Sequence, residues 1–126
     1  MIKQIKSSEI KKYLEKNPKT VLLDVRTEEE LTTVGKPKSN SQDFKIFFIT
    51  IGQDSNFIEN VKKQINKENH VLVMCAAGMR SMTAADLLEK EGYVAHNISD
   101  GFSGNGKDPG WKNSGLPSII KVWIKS

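Results

Sequence analysis

The 126-residue chain reads as an α/β fold, a mostly parallel sheet with helices on both faces. Two observations carry this expectation. Short runs rich in β-branched, leucine or aromatic residues, Val21 to Arg26, Phe44 to Ile51, Val71 to Met74 and Tyr93 to Ser99, alternate with segments whose apolar residues recur at helical spacing. The run from Val71 to Met74 is apolar throughout, as in a strand buried on both faces, and a helical pattern begins within six residues of its end.

In chain order, Ile2 to Ile5 reads as a short first strand. Ser7 or Ser8 is placed to cap a helix with Ile10, Tyr13 and Leu14 facing inward. Asn17-Pro18 ends it, because the residue before a proline disfavours the helical region. In the second strand, VLLDVR, Asp24 and Arg26 are two apart and project to one side, either into solvent at a rim or into a network at a site. Thr27 and Glu30 have capping-box spacing, with Leu31 and Val34 as a short apolar face before Gly35. The glutamates 28 to 30 are read as acidic residues favoured by a helix dipole rather than as an acid/base pair. Lys36 to Asp43 reads as a loop. FKIFFITI, from Phe44, is β in composition, and Ser55 is placed to cap a helix with Phe57, Ile58, Val61 and Ile65 on one face.

After the strand ending at Met74, Ala84, Leu87 and Leu88 share a helix face, and Gly92 is a natural stop. Tyr93 to Ser99 reads as the final sheet strand. His70 and His96 have no Cys, His or Asp at a ligand-like offset, so they are read as surface or strand-edge residues and not as metal ligands. DGFSGNGKDPG, from Asp100, is glycine-rich but lacks both the G-K-[ST] step and the GxGxxG spacing of phosphate loops. Trp111 reads as a packing residue. Residues 118–126, SIIKVWIKS, are too apolar for a free tail, and an edge strand, packing across the domain or a contact with a second copy all fit them.

The length suits one domain over residues 1–126, and hydrophobic residues at 37% with charged residues at 27% describe a globular chain with a real core. No apolar run has membrane-spanning length, and MIKQIKSSEIKK lacks the apolar centre of a secretory signal, so the expected location is cytoplasmic. The net charge of +4 comes from scattered lysines without aromatic interleaving, which argues against nucleic-acid binding. A single cysteine excludes an internal disulfide and a CxxC pair, so any covalent partner of Cys75 comes from outside the chain.

Cys75 is the residue the rest is arranged around. It sits at a strand end, and Ala76, Ala77, Gly78, Met79, Arg80 and Ser81 turn the chain into a helix N-terminus. Backbone N–H groups in such a turn converge on an anion, and the helix dipole adds to them. A thiol there ionises more readily than a free one, which makes it a nucleophile in an anion cradle. The competing reading is an inert, small buried residue. Of nineteen Lys plus Arg only Arg26 and Arg80 are arginine, so the planar multi-donor group is kept for two places.

The string C-A-A-G-M-R resembles the C-x-x-G-x-R active-site loop of the rhodanese-like family, in which the cysteine carries a persulfide. LLDVR resembles the family's second signature, and GWKNSGLP its closing stretch, after a longer glycine turn than usual. The family's common histidine-containing turn before the third strand is missing from GKPKSN. The resemblance covers roughly residues 21–117 and implies a three-layer α/β/α domain. Its mostly parallel five-stranded sheet would set the strand ending at Asp24 beside the strand ending at Cys75.

The resemblance also implies sulfur transfer through a Cys75 persulfide, with residues 76–81 as the persulfide-binding loop and Asp24 and Arg26 in support, one of them bonded to Arg80 or the loop backbone. No cofactor is implied. The implied partners are a small sulfur donor such as thiosulfate and a thiol or cyanide-like acceptor. A sulfur-relay protein and a homodimer formed through the tail are the further expectations. Two rivals stand beside this. A non-enzymatic persulfide carrier or partner-docking module is kept open by the neutral loop, in which Ala76, Ala77 and Met79 offer no charged group for a small anionic donor. A cysteine phosphatase or arsenate reductase is disfavoured, because four residues rather than five separate Cys75 from Arg80.

Overall fold

The computed structural model describes residues 2–39, 44–52 and 56–119. Five strands, β1 (Lys3–Ile5), β2 (Thr20–Asp24), β4 (Lys45–Phe48), β5 (His70–Met74) and β6 (Val94–Ile98), form one sheet in the order β1-β6-β5-β2-β4. Every pairing in it is parallel. Parallel neighbours need crossovers, and the helices α1 (Ile10–Lys16), α2 (Glu28–Thr33), α3 (Phe57–Gln64) and α4 (Arg80–Lys90) supply them. Among the described residues no helix is long and apolar enough to cross a membrane.

The two faces follow from the period of two along each strand. Val21, Leu23, Val71 and Val73 point to a core shared with Phe57 and Val61 of α3 and Ala84, Ala85 and Leu88 of α4. Leu22, Leu72 and Met74 point the other way, to a core with Ile10, Phe102 and Trp111. Central strands covered on both sides explain why VLLDV and VLVM are apolar without alternation. Parity therefore decides which face each residue near a strand end occupies. Cys75 continues the odd series toward α4, while Asp24 and Arg26 continue the even series toward Phe102.

Several local expectations need correction. Ser7 does not cap a helix; it lies in a 3-10 turn, Ser7–Glu9, ahead of α1 and gives its N–H and hydroxyl to Asp100. The α3 cap position is Asn56, and Ser55 lies outside the described residues. His70 and His96 stand on inner strands, half-buried around Tyr13, which hydrogen-bonds His70 Nδ1 at 2.7 Å. Residues 36 and 37 are a strand, β3 (Lys36–Pro37), where a loop is expected. Its antiparallel partner is β7 (Ser118–Ile119), the start of the apolar tail, whose remainder lies outside the described residues. Trp111 packs as expected, with no exposed surface and its indole N–H on the Pro117 carbonyl.

Candidate active site

β5 ends at Met74 and α4 begins at Arg80, so residues 75–79 turn the chain over the C-terminal edge of the sheet. The turn after β6 holds this loop from behind. Phe102 N–H donates to the Cys75 carbonyl at 2.8 Å and Ser103 N–H to the Ala76 carbonyl at 2.9 Å. Both carbonyls thus point backward, and the following N–H groups face the sulfur. Gly78 is required where it stands: its φ is 102°, and a Cβ would lie 2.3 Å from the Ser99 carbonyl oxygen. Asp100 fixes the supporting turn, accepting from Ser7 on one oxygen and from Gly110 N–H on the other. Nothing in the sequence signals that role beyond an acidic residue before a glycine turn.

Cys75 is 1% exposed. Its Sγ accepts from Gly78 N–H at 3.2 Å and Ser81 N–H at 3.3 Å, and lies 3.2 Å from Ser81 Oγ. Burial pushes the thiol up, but hydrogen bonds from the Ser81 hydroxyl and from the N–H groups of Ser81, Gly78 and Ala77 outweigh it, so the net shift is downward. The strand-turn-helix expectation of an anion cradle is met by these contacts.

The two arginines do separate jobs. Arg26 forms a bidentate pair with Asp24, Nη2 to Oδ2 at 2.8 Å and Nε to Oδ1 at 3.0 Å, donates to the Gly35 carbonyl, and stacks 4.3 Å from the Phe102 ring centroid. Neither member bonds Arg80 or the loop backbone, contrary to the expectation, because strand parity sends them to the opposite face of the sheet. Arg80 instead takes a bidentate pair with Glu30, 2.7 Å on each oxygen.

Glu30 closes the capping box with Thr27 as well, so one carboxylate joins the start of α2 to the start of α4. The Arg80 hydrogen bond holds its carboxyl at about 2, against the opposing effect of burial. Glu30 is the residue that a helix-dipole reading misses. Nothing in the sequence signals that role, because an arginine 40% exposed can be solvated without a carboxylate and its partner lies fifty residues away.

The rhodanese-like domain model matches residues 7–105. The chain belongs to the rhodanese-like family. Among its relatives, the uncharacterized protein RP600 of Rickettsia prowazekii is 36% identical over 120 residues, 93% of this chain and 97% of its own length. The Bacillus subtilis protein YtwF, named as a candidate sulfurtransferase, is 26% identical over 101 residues, 80% of this chain and 87% of that one. The crystal structure of Rv0390 from M. tuberculosis aligns with a TM-score of 0.79 at 29% identity, covering 91% of this chain and 95% of that one. The rhodanese-like domain and the YtwF relationship support a sulfurtransferase-type family.

Proposed function

We propose that this rhodanese-like protein transfers sulfane sulfur through a persulfide on Cys75. The observation that carries the proposal is a buried sulfur that accepts from the Gly78 and Ser81 N–H groups and lies against the Ser81 hydroxyl, an environment that favours an anion on sulfur. The Cys75 thiolate attacks the outer sulfur of the donor. A Cys75 S–S bond forms, the donor's S–S bond breaks, and the leaving group departs with the electron pair, as sulfite when the donor is thiosulfate. A thiol or cyanide-like acceptor then attacks the outer sulfur and releases the Cys75 thiolate. The loop N–H groups from Ala76 to Ser81 stabilise the negative charge at both stages. Arg80 ties down the loop's far end, and Asp24 with Arg26 holds the neighbouring strand end.

A specific observation favours a protein-borne donor over a small anion. Arg80 is committed to Glu30, and the rim residue Met79, 78% exposed, is uncharged, so residues 76–81 of the loop hold no unpaired cation for a dianion. This supports the carrier reading, in which sulfur arrives from a relay partner. Four residues between Cys75 and Arg80, with Arg80 already bound to a carboxylate, weigh against phosphatase chemistry.

The test is thiocyanate formation from cyanide, with either thiosulfate or a persulfidated protein as donor, alongside Cys75→Ser. Turnover dependent on Cys75 and faster with the protein donor is expected. Turnover that survives Cys75→Ser, or Cys75-dependent release of phosphate from an aryl phosphate with no thiocyanate, overturns the proposal.

A further inference from the structure

Ser81 Oγ has one proton and two claimants. Besides Cys75 Sγ, it contacts Asn97 Oδ1 on β6 at 2.5 Å. The orientation of the Asn97 amide is fixed by its other end, because Nδ2 donates to the Gly78 carbonyl at 3.1 Å and to Gln4 Oε1 at 2.8 Å. A carbonyl can only accept, so the nitrogen belongs there and the oxygen faces Ser81. Ser81 and Asn97 are both buried, so water cannot substitute for either bond.

We propose that Asn97 is a positioning residue that turns the Ser81 hydroxyl away from Cys75, so that protonated Cys75 donates to Ser81 Oγ and loses its proton only as that hydroxyl swings from Asn97 Oδ1 to Sγ. Ionisation therefore breaks one buried hydrogen bond while making another. The thiol proton leaves to solvent or to a base on the incoming partner, and Asn97 itself takes up none. On the persulfide reading above, the charge moves to the outer sulfur, and Ser81 is free to return to Asn97. The pair thus opposes a bare thiolate and favours the sulfur-loaded state.

Among the described residues the charged groups around the cysteine are few. Arg80 on α4 is the cation whose field Cys75 shares, and it is paired with Glu30 of α2. Asp24 at the end of β2 is paired with Arg26, and Asp100 behind the loop is held by Ser7 and Gly110. None of these changes when residue 97 is replaced, so a shift in Cys75 ionisation reports the hydroxyl.

The test is thiolate ultraviolet absorbance against pH, for the wild type, Asn97→Ala, Ser81→Ala and the double variant, each corrected with Cys75→Ser. It requires no sulfur transfer, so the persulfide reading and this one fail separately. Asn97→Ala is expected to lower the midpoint by about half a unit to one unit, the worth of one neutral hydrogen bond. Ser81→Ala is expected to raise it, and the double variant to titrate with Ser81→Ala. If Asn97 only props up the loop through Gly78, the midpoint rises in both backgrounds. A raised or unchanged midpoint in Asn97→Ala overturns the proposal. If that variant does not fold, the infrared S–H band of the wild type reads the same proton, since Cys75 is the only thiol. A band of a hydrogen-bonded S–H that becomes free in Ser81→Ala is expected, and a free S–H band in the wild type overturns the proposal.

Discussion

The chain's two arginines make the same kind of contact in opposite settings. Arg26 and Asp24 are 1% and 0% exposed, bonded within the end of β2 and sealed by Phe102. Arg80 and Glu30 are 40% and 27% exposed, and they join two helices across the mouth of the cysteine loop. The buried pair lies within one strand end and cannot part without stranding a charge. The rim pair bridges separate elements and can part at modest cost in water. The first therefore belongs to the scaffold, and the second sits at the rim of the cysteine loop. Two carboxylate-arginine pairs in one chain need not serve one site.

The sharpest way to break this contrast is Arg26→Ala. Asp24 would be left buried without its cation, and a loss of about 3–5 kcal/mol in denaturant unfolding is expected. A loss as small as that of a surface pair would remove the difference drawn between the two pairs. Next in size is Gly78→Ala, because a Cβ would collide with the Ser99 carbonyl in a backbone conformation that suits only glycine. A cost of about 1–3 kcal/mol is expected, with Cys75 ionising at higher pH as the N–H groups move away. Stability and thiolate titration measured on one sample would show whether the two effects travel together.

The smallest effect belongs to Glu30→Gln, about 1 kcal/mol or less near neutral pH because the pair is exposed. Its signature lies in the acid range. Glu30 is held at about 2 in the folded chain, below its unfolded value, so its contribution is present above the unfolded value and is lost as pH falls toward 2. Urea unfolding between about pH 5 and pH 2 should therefore lose less stability in Glu30→Gln than in the wild type. An identical acid slope in both would mean that the pair does not persist in solution.

The sheet was legible because its central strands β2 and β5 are buried on both faces, which leaves uninterrupted apolar runs, and because Gly92 and the Asn17-Pro18 step mark where helices end. The cysteine cradle was legible from small residues between a strand end and a helix start. What stayed hidden depends on contacts between segments far apart in sequence. Glu30 and Arg80 are fifty residues apart, and Ser7 and Asp100 ninety-three. No periodicity encodes such pairs. The misplacement of Asp24 and Arg26 has a simpler cause. The spacing of two sets their shared side of the strand, but which face holds Cys75 depends on the register between β2 and β5, with Asp24 opposite Met74. An asparagine on a strand, as Asn97 is, carries no sign in the sequence of what it bonds.

The most direct test of the persulfide step is the intact mass of purified protein after incubation with a sulfane-sulfur donor, beside Cys75→Ser. Thiosulfate and a persulfidated protein would each be offered. Gain of one sulfur atom, reversed by reductant and absent from the variant, is the expected result. No gain from either donor in folded protein would contradict a Cys75 persulfide and leave the cradle without the chemistry assigned to it.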